Sequence, residues 1–472
     1  MPAGPDSDRR ATPLRAGSYH PGVHADPAAT VLPTDDPQRR VLHDEVHARP
    51  SALVGLPALV TYVAVLNEGV SRDAECEHLR RLPGQQHLVS DDLRRHFLRL
   101  DLGPHSLKWE RHSEFTRYSL VQPLPAGAGP GARLPPLLDG LAVEAAWLRG
   151  IPGRTVAAIQ LAMVIGELGD VQAVLASARR WFGDGAVVAS RMGAGEVGGG
   201  HAPDGHSCAV TDFQLGDDGF ERLLVIAAPG TTDSRAGRIA QRLLEIETYR
   251  LMALRGLPVA KSLAPMLGQA EAELAAITAR LEGTQISEQQ LLDTLIALAA
   301  KVERATAEHM YRFSATQAYD ALVRQRIAEL REKAIPGAQT IGEFMQRRLS
   351  PAIATVAATA QRLAALSQRV ERAGALLRTR VDIVTEAQNQ QLLAKLTRGQ
   401  ELQLRLQSTV EGLSIAAISY YVVSLLLYAG KAAKAAGLPL DPELAAGALI
   451  PPVLWAVWTA TRRVHRRLRG DG

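Results

Sequence analysis

The stretch "GLSIAAISYYVVSLLLYAG", Gly412 to Gly430, runs nineteen residues without a charge. At about 1.5 Å per residue, a helix of that length covers roughly 28 Å, close to the hydrocarbon thickness of a bilayer. A second uncharged run, Leu444 to Thr461, contains "ALIPPVLWAVWTAT" and ends near Trp455 and Trp458. Indole rings favour the membrane–water interface, so their place at that end suits a helix leaving the bilayer. Pro451 and Pro452 predict a kink in this second helix. The two runs read as a C-terminal transmembrane helical hairpin over about 412–430 and 444–461. The competing reading is a buried helical hairpin in a soluble core.

The charge balance supports the membrane reading. The tail "RRVHRRLRGDG" carries a net charge of +4, which equals the excess of the whole chain, so everything upstream is balanced. A basic tail beside an apolar run is a membrane flank, and no nucleic-acid partner is expected. Lys395, Arg398 and Arg405 precede the first run, whereas the connector "KAAKAAGLPLDPE" is about neutral. Positive charge on both outer flanks predicts two cytoplasmic termini at a bacterial inner membrane. The N-terminus "MPAGPDSDRRATPLRAG" has no apolar signal segment, and its composition predicts disorder over 1–35. Cys76 and Cys208 are too few for a disulfide framework.

Between the spans and about residue 230 the pattern is helical, predicting a coiled-coil stalk over 230–411. Leu349, Ile353, Val356, Ala360, Leu363, Ser367, Val370, Gly374, Leu377, Val381 and Val384 recur at heptad spacing, and nine of these eleven are apolar. The seam resumes at Leu392, Leu396, Leu406, Val410 and Leu413 after a four-residue stutter. No proline separates it from the first span, so one continuous helix is expected. The seam can pack on the chain's own earlier helices or on a second copy, which makes a homo-oligomer through the stalk one expected partner alongside the lipid bilayer.

From 36 to 229 the periods switch to those of an α+β domain. "PALVTYVAVL" reads as a strand and "SRDAECEHLRRL" as a short helix. "HFLRLDLG", "HSLKWERHSEF" and "RYSLVQP" read as an antiparallel meander. "RTVAAIQLAMVI" and "AVVASRM" flank the helix "VQAVLASARRWF", and "CAVTDFQLG" and "ERLLVIAA" close the sheet.

The segments "EVHARP", "KWERHSEFTRYS", "TDF", "GRIAQRLLEIETYRLMALRGLPVA" and "VEGLSIAAISYY" resemble the bacterial family called domain of unknown function 3422. The resemblance runs from about residue 36 to the second span and implies membrane anchoring, with no activity attached. Asp44 departs from it, standing where an asparagine is usual.

The most chemically loaded stretch is "VLHDEVHARP", Val41 to Pro50. Asp36 and Pro37 predict a capped helix over 37–48 that Pro50 ends, which accounts for His47 and Arg49 beside the last carbonyls. A sharper reading joins this end to "WERHSEF". On one strand Glu110, His112 and Glu114 would share a face, and with Glu45 and His47 they could hold a divalent cation through mixed N/O ligands. Ion pairs from Arg49 and Arg111 to the glutamates are the rival use of the same charges.

No other cofactor is predicted. The glycines of "MGAGEVGGGH", Met192 to His201, lack a dinucleotide register, no serine sits in GxSxG, and His43 and His47 do not form HExxH. Three functions remain. The first is a membrane-anchored structural, interaction or assembly protein whose cytoplasmic domain is held on the stalk. The second is an oligomeric cation channel or transporter, since the layout resembles the CorA-type magnesium channel plan. That family's Gly-Met-Asn signature has no counterpart here, because 412–472 contain no asparagine. The third is a metal-dependent enzyme in the N-terminal domain, and the balance of the sequence is against an enzyme.

Overall fold

A computed structural model describes residues 52–124, 140–183, 185–193, 205–281, 288–437 and 441–469, with isolated positions at 36–39, 42 and 439. Expectations for 1–35, most of "VLHDEVHARP" and most of "MGAGEVGGGH" lie outside these residues. Of the capped helix expected at 37–48, only the start is described. Asp36 Oδ1 accepts from the Gln38 amide at 2.7 Å, and Leu42 N reaches Gln38 O at 2.9 Å.

In chain order the elements are β1 (Ala58–Leu66), α1 (Arg72–Arg80), a 3-10 turn (Ser90–Arg95), β2 (Phe97–Asp101), β3 (Ser106–Arg111), β4 (Phe115–Pro123) and α2 (Ala145–Arg149). Then come β5 (Arg154–Ile165), α3 (Val171–Phe182), β6 (Val188–Met192), β7 (Ser207–Leu215), β8 (Glu221–Ala227) and α4 (Asp233–Leu254). The rest are α5 (Gly256–Leu281), α6 (Glu288–Leu330), β9 (Lys333–Ala334), α7 (Ile341–Arg348), α8 (Ser350–Ala435) and α9 (Pro442–Arg469).

The strands form one nine-stranded sheet in the order β2-β3-β4-β1-β5-β8-β7-β6-β9. Only β5 and β8 run parallel; the other ladders are antiparallel. The expected β2-β3-β4 meander forms one edge.

Both faces of the sheet are covered, which explains why β1 and β5 are apolar along nearly their whole length rather than alternating. On one face Val60, Tyr62, Ile159, Leu161 and Val225 meet Ile239, Ala240, Leu243 and Leu244 of α4. On the other, Trp109 and Tyr118 pack with Leu79 of α1 and Trp147 of α2. Farther along that face, Val164, Val210 and Leu224 pack with Leu175 and Trp181 of α3. Thr232 caps α4 by accepting from Arg235 N at 3.4 Å. Val54 N donates to Asp233 O at 3.1 Å, so the segment before β1 lies on the first turns of α4. Gly237 makes this approach possible, since a Cβ there would collide with the Ala52 carbonyl.

By its internal contacts the chain divides into two units. One comprises residues up to Leu263 together with His309–Ala360; the other comprises Ala264–Glu308 and Gln361 onward. In the second unit Leu267, Ala270, Leu274 and Ile277 of α5, Leu291, Leu295 and Leu298 of α6, and Leu363, Val370 and Leu377 of α8 are all buried. Arg362 clamps Glu271 at 2.8 Å, and Arg380 pairs with Glu288 at 3.4 Å. The helix α6 ends at Leu330, six residues before Pro336. Arg331 takes a left-handed conformation (φ 47°), and Lys333 and Ala334 pair with β6 instead.

The expected continuous helix is present, α8 running through the first apolar stretch without a break. Two helical segments, Ile341–Ala435 and Pro442–Arg463, are long and apolar enough to cross a membrane, with only 6% and 11% of their apolar windows buried.

Candidate functional site

Three of the five sequence-predicted ligands are described, and the structure sends them to different partners. Glu45 and His47 lie outside the described residues. Strand β3 ends at Arg111, and residues 112–114 make the turn into β4, so Glu110, His112 and Glu114 do not share a strand face as expected. A hairpin turn breaks the two-residue alternation on which that expectation rested.

His112 sits in the turn. Its amide donates to Phe115 O at 2.8 Å, its carbonyl accepts from Asn67 Nδ2 at 2.8 Å, and its ring stacks on Phe115 at 4.6 Å. Glu114 pairs with Arg312 of α6. Arg111 goes to the opposite face, donating to Glu75 of α1 at 2.6 Å, and Thr116 Oγ1 adds a second bond to the same carboxylate at 2.7 Å. Among the described residues no group of three or more His, Cys, Asp or Glu side chains is placed to hold a metal.

Glu110 is instead the root of a buried chain of charges. The β3–β4 register puts it directly opposite Arg117, whose Nε donates to Glu110 Oε2 at 2.5 Å. Lys108, two residues earlier on the same face, adds its ammonium at 3.1 Å. Arg117 Nη1 then reaches Glu245 of α4 at 3.1 Å. Glu245 Oε1 also accepts from Gln241 at 2.8 Å, and its Oε2 accepts from Arg326 of α6 at 2.5 Å. Arg326 continues to Glu329 at 2.7 Å, and Glu329 Oε2 takes Arg242 at 3.2 Å. Six ionic contacts thus make up a chain that runs from the sheet to two helices.

The electrostatics follow from this alternation of sign. Burial works against the Glu110 charge, but the Arg117 guanidinium and then the Lys108 ammonium overcome it and hold the carboxyl at about 2. Burial likewise opposes the Glu245 charge, yet Arg117, the Gln241 bond and Arg326 keep that carboxyl below the usual range. Burial also disfavours the Arg117 cation, and Glu110 and Glu245 reverse the effect, so it stays charged. Lys108 is the group for which burial wins; its ammonium is shifted down despite Glu110. Charges this deep persist because each has a partner. A cavity of about 30 Å³, the scale of a single water, is lined by Glu110, Arg117, Lys108, Tyr62 and Gln241. The cluster's donors and acceptors face one another around this small space.

A second buried acid cluster lies on the same helix α4. Glu221 of β8 and Glu247 share Arg250, which also stands over the Phe213 ring at 5.5 Å. Burial, then the neighbouring Glu247 charge, push the Glu221 carboxyl up to about 9, so it carries its proton at neutral pH.

Sequence reasoning singled out Glu110 and missed its partners. The Arg117 pairing was within reach, because two charges of opposite sign facing each other across a short hairpin are a usual cross-strand pair. Glu245 and Glu247 could have been noticed as acids inside the apolar run "RLLEIETYRLMAL".

No curated protein and no solved structure matches the chain. A profile of the family described as "Protein of unknown function (DUF3422)" matches residues 34–468, and the chain belongs to that family.

Proposed function

We propose that the protein is anchored in the bacterial inner membrane by a helical hairpin and works as an interaction or assembly protein, its α+β unit in the cytoplasm. What carries the reading is the exposure of the apolar helices. Leu425, Tyr428, Leu444 and Trp455 stand open to the surroundings, so the soluble-core alternative has no core in which to bury them. Lipid is the solvent that fits such surfaces. Arg462 lies over the Trp458 ring at 4.0 Å, the pairing of cation and indole that suits the lipid boundary. The buried charges of the α+β unit are paired among themselves, which favours a binding body over a catalytic centre.

A homo-oligomer through the stalk belongs to the same reading. Leu392, Leu396, Leu406, Val410 and Leu413 continue the heptad spacing and are exposed, and a second copy supplies the matching seam.

The experiment is alkaline carbonate extraction of cell membranes, together with reporter fusions at each end of the chain. The protein stays in the membrane pellet, and both reporters read cytoplasmic. Release into the supernatant, or a periplasmic reading at both ends, refutes the anchoring.

A further inference from the structure

The outer end of the buried charge chain opens into a cleft of about 250 Å³ whose lining includes four arginines and one carboxylate. Arg235, Arg238 and Arg242 stand three and then four residues apart, on one face of α4. Arg331 joins them from the end of α6, and His206 and Gly193 close the side next to the sheet. Glu329 is the single carboxylate in the lining, and it is already held by Arg326 and Arg242. Among the described residues Arg235, Arg238 and Arg331 form no ion pair. Arg238 donates to the Ser234 hydroxyl at 2.6 Å.

Like charges gathered in one cleft repel each other, and an anion of matching geometry relieves the repulsion. The scaffold here is fixed rather than splayed. Gly193 N donates to Leu330 O at 2.9 Å, tying the end of α6 to β6. Arg331 is held at φ 47°, a backbone state that glycine or asparagine adopts more easily, so the cleft keeps an arginine at a strained cap. Gly193 itself has φ 80°, and a Cβ there would collide with the His206 ring.

We propose that this cleft binds a small soluble compound through two or more phosphoryl groups. Guanidinium forks match the paired oxygens of a phosphoryl group, and several forks facing one space ask for more oxygens than one carboxylate has. The volume equals about eight waters, enough for a diphosphate or a phosphorylated sugar. The apolar lining is Met192, Ile239 and Leu330, with no phenyl, phenol or indole ring; His206 is the one aromatic ring beside four arginines, so the phosphoryl groups carry the recognition.

The test uses the full chain in neutral detergent, titrated calorimetrically with inorganic pyrophosphate at constant ionic strength. Saturable binding at one site per chain is expected. The Arg235→Gln/Arg238→Gln pair weakens it by at least about tenfold, the scale of one charge-assisted bond. Arg331→Gly keeps the backbone conformation, removes the guanidinium, and weakens binding to a similar extent without lowering the unfolding midpoint. The exposed Arg179→Gln on α3 leaves affinity unchanged. The proposal fails if sodium chloride at equal ionic strength gives the same heat, or if neither set of arginine variants changes the affinity. It also fails if the arginines capture only phosphatidylglycerol vesicles and pyrophosphate does not compete, which would make the anion a lipid headgroup. Anchoring plays no part in these readouts, so either proposal can fall alone.

Discussion

The sheet unit and the far part of helix α8 divide polarity in opposite ways. In the sheet unit Glu110, Arg117 and Glu245 are buried beside leucine and valine, while along α8 Leu396, Leu406 and Leu413 stand exposed. Both arrangements break the rule of apolar residues inside and charges outside. The buried charges are tolerable because the fold supplies each with an opposite charge within hydrogen-bonding distance. The exposed leucines have no such cover among the described residues, which is why a partner is proposed for them. Within α8 itself the contrast is sharper still, since Leu363 and Leu377 of the same heptad seam are buried.

The largest expected effect tests the buried half of the comparison. Arg117→Met leaves Glu110 with Lys108 alone and strips Glu245 of one of its two guanidiniums, at buried positions. A loss of about 3–5 kcal/mol in unfolding free energy is expected, the range for breaking a buried ion pair from one side. Denaturant unfolding of the detergent-solubilised protein measures it, and a loss under about 1 kcal/mol would show that the charges are hydrated.

Next come two leucines on one helix. Leu377→Ala removes a fully buried side chain and is expected to cost about 2–5 kcal/mol. Leu396→Ala is expected to change the unfolding of the dissociated chain by no more than about 0.5 kcal/mol while shifting self-association on dilution. Equal costs in dilute, dissociated protein would erase the distinction between the two halves of the seam.

The smallest effect separates two buried acids by pH. Glu110, held at about 2, contributes stability that is present above the ordinary carboxyl value near 4.5 and is lost as pH falls through 2. Glu221, pushed up to about 9, behaves in the opposite way. Between about 4.5 and 9 the unfolded chain ionises this carboxyl and the folded chain does not, so stability declines as pH rises and levels off above 9. Glu221→Gln should flatten that decline by about 1 kcal/mol between pH 6 and 7. An unchanged slope would place the proton elsewhere in the pair with Glu247.

Strands β1 to β8, the helix α3 between β5 and β6, and the long apolar helices were legible from residue order, because each rests on a periodicity confined to about ten or twenty neighbours. The shared strand face expected of Glu110, His112 and Glu114 is absent for the complementary reason. That reading carried the alternation of "WERHSEF" straight through a turn, and the candidate site's other two residues, Glu45 and His47, fall outside the described residues. Nothing local in "WERHSEF" says that Glu110 will meet Arg326 through Arg117 and Glu245, over links of 7, 128 and 81 residues.

Residue order alone determined where the chain forms strands and helices and which stretches match a bilayer, because hydrophobic period and run length are local properties. Which charges are buried together, which half of one heptad seam is covered, and the gathering of Arg235, Arg238, Arg242 and Arg331 around one cleft were decided only in three dimensions. A charge is stable inside a protein only beside its opposite, and that neighbour comes from the register of a hairpin and the packing of helices far apart in sequence.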